Sequence, residues 1–227
     1  MPRFNIGFVI FPDLTLLDFT GPLQVLSRVP QTTTHIVAKS AAPVSSDCGV
    51  GLVPTHSFAN CPPLDLICVP GGNLGVVDAF CDRDTVEFIR QQARAAKYIT
   101  SVCTGAIILG VAGLLKGRRA TTHWAFVDLL PLVGATHEKA RVVQDGNVIT
   151  AAGVSSGIDF AFTAAAEIAG EAAARAIQLG IEYDPAPPFD SGNPDKASPA
   201  IKSAVIAQGY DKSLSAYRAG LERATRI

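Results

Sequence analysis

Charge is what this chain is short of. Asp, Glu, Lys and Arg make up 17% of its 227 residues, against about 25% in an average globular protein. The two signs nearly cancel: 19 basic and 20 acidic side chains leave a formal net charge of −1. A dedicated nucleic-acid binder carries a basic excess on its binding face, so that class is set aside. The cysteines at 48, 61, 68, 81 and 103 are odd in number and form no CxxC pair. That spacing suits neither a disulfide framework nor a zinc cluster, and it leaves at least one thiol free. The histidines (35, 56, 123, 137) are scattered without metal-ligand spacing, so no metal is expected. No P-loop and no GxGxxG is present, which removes support for a nucleotide cofactor. The start, Met1-Pro2-Arg3-Phe4, lacks the features of a signal peptide. The longest apolar stretch, Ala106 to Leu115, is about half the roughly 20 residues that span a bilayer. The expectation is a soluble, cytoplasmic protein with no membrane or nucleic-acid partner.

Apolar residues are plentiful, at 48% of the chain. A chain this long and this hydrophobic can bury a large core, and disorder is excluded for most of it. Length favours one domain, or two. Limited charge leaves surplus apolar surface, which homo-oligomerisation would cover.

Phe4 to Phe11 reads as a buried strand closed by Pro12-Asp13. Asp18 to Ser27 reads as a helix with Pro22 near its first turn. Thr34 to Ala38 is a second strand, and Pro43 to Val53 a hairpin around Asp47-Cys48-Gly49. Leu64 to Val69 is a compact strand that stops at Pro70-Gly71-Gly72. Asp84 to Ala96 is an amphipathic helix, Tyr98 to Val102 the next strand and Thr104 to Leu115 the next helix. Arg119 to Thr122 should be extended, Trp124 to Leu130 helical, and Val142 to Thr150 a hairpin about Asp145-Gly146. Ser155 to Leu179 is one long helix, or two joined near Gly170. Residues 184 onward form a proline-rich arm, followed by a helical region over Ile201 to Ile227. Alternating strands and helices predict an α/β fold with a mostly parallel sheet flanked by helices. The predicted division is a domain at 1–183 and an arm with a terminal helical region at 184–227, packing on the domain or on a dimer partner.

Five places could carry chemistry. A β-rich run leads directly into Cys103, and Thr104, Gly105 and Ala106 open a helix. That is the strand–turn–helix context of a nucleophile elbow, where a strained turn lifts the side chain above the sheet. A thiol there would feel helix amides, which favour thiolate, and the same amides can hold an oxyanion. The alternative is a small buried hydrophobe, the reading given to the other four cysteines. The Gly71-Gly72 pair lies at a predicted strand end, where α/β sheets bind ligands; taken alone it is an ordinary turn. Asp18 is either an N-cap or a general acid or base beside the thiol, and its local sequence does not decide. His123, beside the single Trp, reads better as a packed histidine than as a partner of Cys103. The GxSxG match at 153–157 lacks a following histidine and acid, and reads as a small-residue helix start.

Taken in order, IGFVIFPDLTLLDFTGPLQVL, the PGG loop, SVCTGAIILGVAGLLKGRRATTHW and TAAGVSSGIDFAF resemble the DJ/PfpI superfamily. Its fold is flavodoxin-like, of the class-I glutamine amidotransferase type. The stretch QLGIEYDPAPPFDSGNPDKA is similar to the isonitrile (isocyanide) hydratases within it. The resemblance implies a cofactor-independent hydro-lyase, working as a homodimer on a small neutral organic substrate. It implies Cys103 as nucleophile, Asp18 as its acidic partner, backbone donors at Thr104 and Gly72, and Gly71 shaping the loop. In that reading the thiolate attacks the isonitrile carbon, Asp18 supplies a proton, and water converts the thioimidate to a formamide. Thr104 stands where protease-like members have His, against peptidase activity. The related transcription regulators append a helix-turn-helix region, for which the tail is too short. Two alternatives stay open: a glyoxalase- or deglycase-like enzyme, and a non-catalytic redox or ligand sensor.

Overall fold

Strands rich in Val, Ile and Phe pack side by side and bury both faces, which is what a parallel sheet between helix layers requires. The protein is described by a computed structural model over residues 3–224. Met1, Pro2 and the last three residues of the expected terminal helix, 225–227, lie outside the described residues. The strands are β1 (Phe4–Val9), β2 (Thr32–Ala38), β3 (Val44–Ser45), β4 (Gly51–Leu52), β5 (His56–Ser57), β6 (Leu66–Val69), β7 (Tyr98–Val102), β8 (Arg119–Ala120), β9 (Thr136–His137), β10 (Val142–Asp145) and β11 (Val148–Ala151). The main sheet has seven strands in the order β10-β11-β7-β6-β1-β2-β5. All of its pairings are parallel except β10 with β11, the hairpin expected at Asp145-Gly146. The small β3–β4 hairpin also lies where it was expected. The α/β architecture is therefore as read from the sequence.

The helices are α1 (Leu16–Leu26), α2 (Leu74–Cys81), α3 (Arg83–Ala93), α4 (Gly105–Val111), α5 (Ser156–Ala169), α6 (Glu171–Gly180), α7 (Pro199–Val205) and α8 (Asp211–Ala224). Several depart from expectation. Helix α1 begins two residues earlier, at Leu16, so Pro22 lies inside it and Asp18 in its first turn, with Thr15 as N-cap. Helix α2 was not anticipated: Leu74–Cys81 is nearly all apolar and shows no polar face to mark it. Helix α3 is capped by Asp82, whose carboxylate accepts from Thr85 N. Helix α4 stops at Val111, just before Gly113 turns the chain with φ 80°. Trp124–Leu129 is a 3-10 helix. The long Ala-rich stretch is two helices broken at Gly170.

The terminal helix packs on the chain's own α2. The Tyr217 ring is fully buried, with its centroid 4.8 Å from that of Phe126 and 5.9 Å from that of Phe80. A Cβ on Gly220 would lie 2.8 Å from the Phe80 ring, so α8 sits close against α2. Residues 184–198 between these parts contain no helix or strand. Among the described residues no helix is long and apolar enough to cross a membrane. The fully buried Tyr217 ring makes one expectation simple. Tyr217→Ala should lower unfolding free energy by about 3–5 kcal/mol in urea titrations, the usual cost of deleting a buried aromatic.

Candidate active site

Strand β7 ends at Val102, and the next residue turns sharply. Cys103 has φ 56°, one of four non-glycine residues with positive φ among the described residues. Such a backbone costs roughly 1–3 kcal/mol and persists only where its surroundings enforce it. Here they do. The Cys103 amide donates to Ala151 O at 3.0 Å, and its carbonyl accepts from Thr122 Oγ1 at 2.8 Å. Helix α4 starts at Gly105, where a Cβ would stand 2.2 Å from Val69 O. Only glycine lets the helix start this close to the end of β6.

Asp18 reaches the same point from α1. It is fully buried, and its Oδ2 accepts the Gly71 amide at 2.8 Å. Its Oδ1 is buried without a hydrogen-bond partner among the described residues. The Gly71 backbone separates the two side chains so closely that a Cβ there would lie 2.8 Å from both Asp18 Oδ2 and Cys103 Cβ. The helix that carries Asp18 is tied to the same loop: Thr15 N donates to Gly71 O at 2.9 Å, and Leu14 bridges to Gly72. Asp18 is therefore no N-cap, and its carboxyl is turned inward to the loop.

The electrostatics follow from burial. Loss of solvent pushes the Asp18 carboxyl up to about 8, with the Gly71 amide pulling against it and Asp47 adding to it. Burial, then the Asp18 charge, push the Cys103 thiol well above its ordinary value, against the pull of the Thr104 amide and hydroxyl. The expected lowering of this thiol by the helix amides is thus overturned: the favourable amide is present, and desolvation outweighs it. Near neutral pH the pair holds its protons.

Thr104 and Gly72 are joined by a reciprocal pair of hydrogen bonds. Thr104 Oγ1 donates to Gly72 O at 2.8 Å and accepts from the Gly72 amide at 3.1 Å. The Gly72 amide, read from the sequence as a donor facing a ligand, is therefore engaged by Thr104. The amide that faces the buried carboxyl is that of Gly71.

His123 caps the 3-10 helix, its Nδ1 accepting from Ala125 N at 3.3 Å. Burial lowers its pKa to about 4, so it is neutral at pH 7. It is the packed histidine that was expected. Ser155 and Ser156 lie at the start of α5, with Ser156 Oγ donating to Gly153 O at 2.5 Å. Of the other cysteines, Cys68 is buried and its thiol is pushed up to about 12, whereas Cys48 is exposed, against the reading of it as a buried hydrophobe.

The sequence profile of the DJ-1/PfpI family matches residues 5–167. The chain belongs to that family. It is 54% identical over 197 residues to an isonitrile hydratase of Pseudomonas putida, an alignment covering 87% of this chain and 86% of the relative. A Parkinson disease protein 7 homolog of Danio rerio is 28% identical over 166 residues, covering 70% of this chain and 87% of its own. The crystal structure of a ThiJ/PfpI family protein of Pseudomonas syringae superposes with a TM-score of 0.94 at 40% identity, covering 97% of this chain and 91% of that one.

The family core supplies Cys103, Asp18, Gly71, Gly72 and Thr104. Beyond the matched range, the tail supplies contacts that sequence reading missed. Tyr217 donates from its hydroxyl to the carbonyls of Gly72 and Asn73, each at 2.9 Å. Ser213 Oγ donates to Asn73 Oδ1 at 2.6 Å. The one available hint was that three of the four tyrosines (183, 210 and 217) fall beyond residue 167. A cavity of about 730 Å³ is walled by Leu17, Thr122, His123, Trp124, Gly153 and Val154, of which Thr122 bonds the Cys103 carbonyl.

Two outcomes follow from this geometry. Gly71→Ala should leave the protein folded but lower kcat/KM by about 10²-fold, since the methyl group must push away the Thr104 amide, the Asp18 carboxyl or the Cys103 side chain. The Asp18 linkage has a defined sign. Its folded pKa lies above the unfolded one, so its contribution to stability declines as pH rises from about 4 to about 8, by about 1.4 kcal/mol per unit. Asp18→Asn should remove that decline, so its stability relative to wild type should grow with pH in urea titrations across this range.

Proposed function

We propose that this protein is an isonitrile hydratase that adds water to R–N≡C to give an N-substituted formamide, with Cys103 as nucleophile and Asp18 as proton carrier. One observation carries the chemistry. A carboxyl group that stays protonated near neutral pH lies beside a thiol held on a strained elbow. The identity to the Pseudomonas putida hydratase over most of the chain supports the substrate class.

An isonitrile carbon takes both a nucleophile and a proton. Asp18 Oδ2 is occupied by the Gly71 amide, which leaves Oδ1 to carry the mobile proton. As sulfur bonds to carbon, Oδ1 delivers its proton to that carbon, and the thiol proton takes its place on the carboxyl. The product is a neutral thioimidate, R–N=CH–S–Cys103. Water then adds across the C=N bond, hydroxyl to carbon and hydrogen to nitrogen. The C–S bond breaks as the hydroxyl proton returns through Asp18 to sulfur, releasing R–NH–CHO. No charge is left buried at any stage, which suits a pair as buried as Asp18 and Cys103. The cavity walled by Leu17, Trp124 and Val154 is the place for an apolar R group. The reading includes a homodimer, supported by the strongly exposed Phe189 and Leu179 near the arm.

The test is formamide production from a simple alkyl or aryl isonitrile, followed by NMR. Cys103→Ala should abolish turnover, and Asp18→Asn should lower kcat by about 10²–10⁴-fold, the usual range for a lost general acid. Activity should fall as pH rises through about 8, where Asp18 gives up its proton. Full activity in Cys103→Ala, or lactate from methylglyoxal with no isonitrile turnover, would remove this reading.

A further inference from the structure

The cavity of about 730 Å³ has an uneven charge. Lys139, Arg141 and Lys202 stand in its wall against one carboxylate, Asp195. The chain as a whole has a net charge of −1, so this basic excess is local. Two of the three cations are already paired. Lys139 Nζ lies 2.5 Å from Asp195 Oδ2, and Arg141 Nε lies 2.5 Å from Asp159 Oδ2. Lys202 has no carboxylate partner among the described residues; its ammonium lies 5.8 Å from the centroid of the Trp124 ring. An aromatic face attracts an ammonium without using up its N–H donors, which stay available for an anion.

Both members of this pair are held in place. Lys202 lies on α7, with its amide donating to the Ser198 carbonyl at 3.0 Å. Gly209, with φ 122°, kinks the chain between α7 and α8. Just beyond the kink, Tyr210 lies flat on His123, with ring centroids 5.4 Å apart and planes 4° from parallel. The Trp124 centroid is 5.5 Å from that of His123 and 6.0 Å from that of Tyr210. The same cavity wall extends to the residues that fix the elbow. Thr122 donates to the Cys103 carbonyl, and Ala152 follows Ala151, whose carbonyl accepts the Cys103 amide at 3.0 Å. Leu17, also in the wall, precedes Asp18 on α1.

We propose that the preferred substrates are isonitriles whose R group ends in a carboxylate, and that Lys202 is the residue that selects them. The apolar stem lies along Leu17, Val127 and Val154, and the carboxylate pairs with the Lys202 ammonium beside Trp124. This inference rests on the hydratase reading, and it replaces the neutral substrate expected from the sequence with an anionic one. A carboxylate suits the wall better than a phosphate does, because one unpaired ammonium balances one negative charge. Lys202 is exposed, so the anion stays in contact with water while the reacting end remains uncharged. Lys202 also lies beyond residues 5–167, the range matched by the family profile, which makes the selection a property of the tail.

The test compares 6-isocyanohexanoate with its methyl ester, two substrates with the same reacting carbon. Formamide production followed by NMR gives kcat/KM for each. Wild type should favour the acid by about 10-fold, the scale of one hydrogen bond to a charged group, with the difference in KM and little in kcat. Lys202→Met keeps the stem and deletes the charge, and should abolish the preference; Lys202→Glu should reverse it. Raising NaCl from about 0.05 M to about 0.5 M should shrink the preference of wild type. The preference is a ratio, so it stays readable in a variant that is only partly folded. No preference for the acid in wild type overturns the proposal, and so does a preference that Lys202→Met leaves unchanged. No formamide from either substrate with wild type overturns the hydratase reading itself.

Discussion

A carboxyl group stripped of water and left with one oxygen unpaired is the constraint around which this protein is arranged. Asp18 is fully buried, and the Gly71 amide, with a smaller pull from the Cys103 thiol, offsets only part of the loss of solvent. An ionised group in such a position is expensive, and protonation relieves the cost. The sheet is what holds it there. Strands β1, β6 and β7 lie side by side in parallel, so the turn before α1, the Pro70–Asn73 loop and the Cys103 elbow emerge at one edge. Ligands bind at that edge of open α/β sheets because helix amides and loops converge there. Gly71 and Gly105 then let backbone and side chains approach closely enough for the carboxyl and the thiol to share one small volume.

The fold was largely legible in the sequence because the signals were local. Apolar runs ended in Pro or Gly, turn dipeptides separated hairpin strands, and a β-rich run entered Cys103 directly. Helix α2 escaped because Leu74–Cys81 is apolar almost throughout, so its pattern carried no helical period. Pro22 misplaced the start of α1, since proline is expected near a helix start and here lies within one.

The site was less legible, for a physical reason. Which residues could carry chemistry was visible; what their surroundings do to them was not. The amide that lowers the Cys103 thiol can be guessed from the order strand, cysteine, helix. The desolvation that outweighs it depends on packing against Asp18, 85 positions earlier in the chain. Likewise the Gly72 amide looks free in sequence and is taken by Thr104 in space. The role of Tyr217 rests on bonds spanning 145 and 144 residues, which no local pattern encodes.

Those long-range bonds couple the loop to an element that is not part of the central sheet. Proteins open locally in steps that can leave the rest of the structure standing. If α8 swings away, β1, β6 and β7 keep their ladder, but the Gly72 and Asn73 carbonyls lose the Tyr217 hydroxyl and the Tyr210 ring leaves His123. Catalytic competence is then set by the opening equilibrium of one helix, and the global stability of the domain sets only an upper limit on it.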